Sequence, residues 1–197
     1  MMGSAQKNRA VRNSMFNKPW KLFLIIKYKK MYKQHLLNNI EKEINICRRL
    51  YTKIPADQMN YRPKEGVRST LEILQYLCII GGGMLSYWFK KDDTDFNAFF
   101  GTASMAAKEI QYERVLNHMD EQMATIKDIF NQISEEDLFN KEVTYPWGGT
   151  VPLGEGIIST SIKFLAAYKL QLFSYIKLST DHNLGTADAW ILTDPSL

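Results

Sequence analysis

Two segments of this chain carry one and the same apolar spacing: Leu37, Ile40, Ile44, Cys47, Tyr51 and Ile54, and then Leu116, Met119, Met123, Ile126, Phe130 and Ile133. In both, the intervals run 3, 4, 3, 4, 3. That rhythm keeps six side chains on one stripe of an α-helix and scatters them over both faces of a strand. A helix with one apolar stripe must bury it against other elements. Glu41, Lys42, Arg48 and Arg49 lie off the first stripe, and Pro55 ends that helix.

A further helix is announced by Ser69, with Glu72 three residues on, the pattern of a capping box. Leu74, Leu77, Cys78, Met84, Leu85 and Trp88 give it an apolar side. Gly81, Gly82 and Gly83 fall inside it, at roughly 1 kcal/mol each against alanine. No strand precedes them, so they are read as a packing or kink site and not as a phosphate loop.

The last long helix is expected within Thr150–Leu178. Pro152, Gly154 and Gly156 mark a turn into it, and Glu155 favours the positive end of its dipole. Ile158, Ile162, Leu165, Leu172 and Ile176 supply its stripe, with Lys163, Lys169 and Lys177 placed off it. Phe164 and Tyr168, four residues apart, share one face.

Residues 91–107 read as an acidic and aromatic loop. Asp92, Asp93 and Asp95 lack the central glycine and closing glutamate of a calcium loop. Ser134 with Glu135 and Glu136 suggests a short capped turn, and Trp147-Gly148-Gly149 a tight turn against the body. Four amphipathic helices with almost no strand signal predict an all-α four-helix bundle.

At 197 residues this is one domain. Cys47 and Cys78 sit far apart in apolar helical patterns, as buried thiols of a reducing cytoplasm do. No stretch approaches a membrane span. His35, His118 and His182 have no partner at ligand spacing. Residues 1–30 hold eight cations and no acid, which leaves the remainder at −4 out of the chain's +4. The body therefore carries no nucleic-acid footprint. The leader is compatible with a membrane-surface or partner contact, or with a secretory signal. The simplest expectation is a basic extension, poorly ordered or loosely packed, before a bundle at 31–197.

The order of these features resembles the DinB/YfiT-like bundle proteins over about residues 31–193. Arg68–Leu77 is similar to the start of that family's second helix, where a capping serine precedes a leucine-rich core and a histidine. Gly148-Gly149-Thr150-Val151-Pro152-Leu153-Gly154-Glu155 is similar to the approach to its last helix. Ala167-Tyr168-Lys169-Leu170-Gln171-Leu172 stands where the family has its HHRGQL motif, and the tail Gly185–Trp190 is similar to its ending.

The resemblance implies a divalent metal on three histidines, two of them one turn apart on the last helix. Those positions hold Tyr76, Phe164 and Tyr168 here. Phenylalanine cannot ligate, and a tyrosine of ordinary pKa near 10 is a poor ligand for a divalent ion. The expectation is a bundle with no metal and no cofactor. Either the aromatics have become core, or they line a pocket for an apolar or aromatic small molecule. Without the triad such a protein is expected to be a non-catalytic or small-molecule-binding bundle, stress-related by analogy with the family. The alternative is a metal-dependent, thiol-transferase or hydrolase-type enzyme with a displaced site, any metal being held by other ligands. A homodimer is compatible with such a bundle.

Overall fold

The two matching stripes become inward faces. A computed structural model describes residues 19–192, with side chains described from residue 31 onward. In chain order the helices begin with α1 (Pro19–Tyr51), α2 (Thr70–Phe89), α3 (Phe96–Lys108) and α4 (Val115–Gln132). A short α5 (Asp137–Asn140) leads into strands β1 (Glu142–Thr144) and β2 (Thr150–Pro152). Then come α6 (Leu153–Ile157), a π-helical turn at Ile158–Ile162, α7 (Lys163–Ser179) and α8 (Thr186–Trp190). Helices α1 and α2 each pack against both α4 and α7, which closes a four-helix ring around one core.

Five of the six residues of each stripe are buried, with Leu37 and Leu116 half-buried at the ends. The backbone of α1 runs unbroken through Met31, so the bundle's first helix starts upstream of the boundary expected there. The part of the basic extension at residues 1–18 lies outside the described residues. The capping box forms as read: Ser69 Oγ accepts from the Glu72 amide, and the Glu72 carboxylate accepts from the Ser69 amide at 2.8 Å.

Three expectations are corrected. The stretch 91–107 is mostly the helix α3. Asp95 begins it by accepting from the amides of Asn97 and Ala98, so this carboxylate serves as an N-cap. The chain before α6 forms an antiparallel hairpin, with Val143 opposite Val151, turned by Gly148 and Gly149 at φ +94°. Finally, Gly154 and Gly156 lie buried within α6 and make no turn. A Cβ on Gly154 would meet the Leu138 carbonyl at 2.9 Å, and one on Gly156 the Trp88 ring at 2.8 Å.

The π turn explains a fourth discrepancy. Ile157, Ser161, Leu165 and Lys169 are all buried at intervals of four. Four residues per turn overruns the 3.6 of an α-helix, and the wider turn absorbs the excess. Ile158, expected on the stripe, is thereby rotated out and is 44% exposed.

The three glycines of α2 each face a different neighbour. Gly81 faces Leu165 of α7, Gly82 faces Ile126 of α4, and Gly83 faces Phe100 of α3. Buried Gln122 of α4 uses the opening to bridge the α2 backbone, donating to the Leu77 carbonyl and accepting from the Gly82 amide. The packing-site reading holds, with three partners instead of one.

Candidate functional site

Two of the three aromatics at the family's ligand positions meet. The rings of Tyr76 and Tyr168 lie edge to face, 4.6 Å between centroids, and Tyr76 also touches Phe100 at 6.3 Å. Phe164 goes elsewhere: its ring meets Trp147 of the hairpin turn at 6.3 Å. No ring contact joins it to either tyrosine among the described residues. All three are half-buried and packed on the core.

Beside Tyr76 lies a cavity of about 270 Å³ between α2 and α3. Gln75, Tyr76 and Ile79 of α2 form one wall, Ser104, Ala107 and Lys108 of α3 the other, and Arg68 stands at the rim. Gln75 holds the walls together by donating to the carbonyls of Lys108 and Ile110, both at 3.0 Å. The Arg68 guanidinium sits 4.5 Å above the Tyr76 ring and 5.4 Å from that of Tyr168. Its backbone carbonyl accepts from the Tyr175 hydroxyl at 3.1 Å, which fixes where the side chain departs.

Burial pushes the Tyr76 phenol up to about 12, with the neighbouring Tyr168 adding to the effect. The Glu72 carboxyl, next to the cavity, is held down to about 2 by its paired hydrogen bonds from Arg62 and by the Ser69 amide. The donor set does not fit a divalent metal. Phe164 has no donor atom, and the Tyr76 phenol is harder to ionise than an ordinary one. Among the described residues no group of three or more histidines, cysteines, aspartates or glutamates is placed to hold a metal ion.

Sequence reasoning missed Lys169. It is fully buried, its ammonium 2.6 Å from the Glu43 carboxylate on α1 and 4.5 Å from the centre of the Trp190 ring. Trp190 belongs to α8, which is anchored when buried Asp188 pairs with Arg49 at 3.1 Å and Lys53 at 3.6 Å. The signal was available. Leu165 to Leu172 is a jump of seven, and Lys169 fills the position that a 4, 3 step puts on the stripe.

A ring of four long helices whose last member is entered through a hairpin and a wide turn defines the class of protein. No family model matches the chain, and no curated protein is similar enough to count as a relative. Among solved structures, the chain is similar to a protein from Exiguobacterium sibiricum 255-15, provisionally assigned to the DinB family. It shares 21% identity at a TM-score of 0.61, covering 78% of this chain and 95% of that one. Identity at that level bears on the fold alone. The chain has a DinB-like fold.

Proposed function

We propose that this chain is a non-catalytic, small-molecule-binding bundle, and that its site is the cleft walled by Tyr76 between α2 and α3. The observation that carries this reading is the cavity of about 270 Å³ beside the Tyr76 ring, with a buried floor and an open rim. It is concave, partly aromatic and built on two rigid helices, as ligand sites usually are, and its size suits a single-ring molecule.

The titratable groups at the cleft favour binding over turnover. General acid–base catalysis works best with a group poised near the working pH. Here the Tyr76 phenol lies near 12 and the Glu72 carboxyl near 2. The buried free thiols Cys47 and Cys78 suit a reducing cytoplasm, where such a binder would keep them unoxidised.

The test is a titration of the full chain with single-ring aromatic fragments, following the backbone amides of Tyr76, Ile79 and Ala107 by heteronuclear NMR. Saturable shifts at those amides support the reading. Shifts confined to other parts of the bundle, or none, overturn it. Turnover of thiol or ester substrates that disappears in Tyr76→Phe would favour the displaced-site enzyme instead.

A further inference from the structure

Resting on the binding reading just given, we propose that the cleft selects a small organic anion, a carboxylate carried on an apolar or aromatic body, and that Arg68 and Lys108 hold its charge.

The cleft is lined by two cations, Arg68 and Lys108, against one carboxylate. That carboxylate, Glu72, is bound chiefly by Arg62, with Arg68 acting on it only at longer range. Both Glu72 oxygens accept from Arg62 at 2.7 Å, and one also accepts from the Ser69 amide. Arg68 has no carboxylate within ion-pair distance among the described residues, and neither has Lys108. The one side-chain hydrogen bond from the Arg68 guanidinium goes to the Tyr168 hydroxyl and is long, at 3.5 Å.

Stacking decides what this guanidinium can do. A guanidinium lying over an aromatic ring uses its face and leaves its N–H donors pointing outward in the plane. Those donors form the fork that matches a carboxylate in two parallel hydrogen bonds. The Tyr76 ring holds the Arg68 guanidinium 4.5 Å from its centre at the rim, while the Tyr175 hydroxyl fixes its backbone. Lys108 stands on the opposite wall as a point charge, with the Ser104 hydroxyl on the same helix.

The rest of the cleft is shaped for the ligand's body. Ile79, Ala107 and the Tyr76 ring are apolar and suit the body of an organic anion better than a strongly hydrated inorganic ion. The Tyr76 phenol keeps its proton and can donate a hydrogen bond to an anion.

The experiment compares benzoate with benzamide, which has the same shape and no charge, on the full chain and on Arg68→Gln and Lys108→Gln. Both substitutions are at exposed side chains, so the fold is retained. The expected result is benzoate binding in the cleft, with benzamide weaker by roughly tenfold or more, as loss of a charge-assisted bidentate pair implies. Arg68→Gln removes that preference, and Lys108→Gln reduces it. Equal binding of both probes at the cleft amides overturns the anion inference and leaves the binding reading standing. Binding of neither at those amides overturns both. Benzoate preference that survives in both variants places the anion somewhere other than at Arg68 and Lys108, and overturns the inference too.

Discussion

Lys169 of the last long helix and Glu43 of the first meet inside the bundle, ammonium to carboxylate at 2.6 Å, with the lysine wholly out of solvent and the glutamate side chain 17% exposed. Burying an ion pair costs desolvation that the attraction only partly offsets, whereas removing one member leaves a stranded charge. The two members are not equivalent. Losing Lys169 leaves a carboxylate with some access to water, while losing Glu43 leaves an ammonium with none.

Glu43→Gln should therefore be the more damaging change, at about 3–5 kcal/mol, and Lys169→Met the milder. The double change Glu43→Leu with Lys169→Met should recover much of the loss. At roughly 2–4 °C per kcal/mol for a chain of this size, thermal unfolding resolves the order. A double variant as unstable as Glu43→Gln would show that the pair stabilises the bundle outright.

The Glu72–Arg62 pair gives a pH signature. The Glu72 carboxyl lies at about 2 when folded, against an ordinary 4.5, chiefly through Arg62. The folded chain gives up this proton more readily than the unfolded one. Its contribution is thus complete above about pH 4.5 and is lost as the pH falls towards 2. Both side chains are about two-fifths exposed, so the effect is small, on the order of 1 kcal/mol or less. Glu72→Gln keeps an acceptor for the Ser69 amide and removes only the charge. Its melting temperature should trail the parent at pH 7 by up to a few degrees, and the gap should narrow at pH 3. A gap independent of pH would assign the effect to capping alone.

Alanine at the three glycines should separate their roles. Each change gains roughly 1 kcal/mol of helix propensity. A methyl on Gly81 would stand 2.8 Å from a Leu165 methyl and 3.2 Å from the Gln122 side-chain oxygen. Leu165 is fully buried and Gln122 is tied to two backbone groups, so neither can retreat. At Gly83 the obstacle is the edge of the half-buried Phe100 ring at 2.9 Å, which has room to turn. Gly81→Ala should lower the melting temperature clearly, Gly82→Ala less, and Gly83→Ala least. The reverse order would mean that the α2–α3 contact is the stiffer one.

The stripes, the capping box and the four-helix ring were legible because each rests on spacing that an α-helix imposes by itself. What escaped depended on partners. Helix α3 was read as a loop because the acids just before it, Asp92, Asp93 and Asp95, run together with its own residues in composition, although Asp95 stood ready as an N-cap. With α3 missed, so was one whole wall of the Tyr76 cleft, and Arg68 passed as an ordinary residue before a cap. The hairpin's strands are three residues each, too short for alternation to show, and its turn carries the Trp147 that draws Phe164 away. The π turn rotated Ile158 outward, a shift that a 3.6-residue period cannot foresee, whereas Lys169 stood on the stripe at a 4, 3 step that was overlooked.

The family's ligand positions can be tested by restoring histidine. Tyr76 and Tyr168 are 4.6 Å apart between ring centres, a separation at which two imidazoles can share one ion. Position 164 lies one turn before 168 on the same helical run, and its obstacle is Trp147, which is 61% exposed on a hairpin turn and free to give way. The triple change Tyr76→His, Phe164→His and Tyr168→His should cost stability in the absence of metal, since three packed aromatics become smaller. Nickel or zinc at a hundredfold excess over its Kd should return about 2.7 kcal/mol, a rise of roughly 5–10 °C. The parent under the same additions should not shift. The double variant at positions 76 and 168 should gain less than the triple, because it offers two ligands and not three. Equal gains in the two would show that position 164 does not reach the site, and that the hairpin has closed it off.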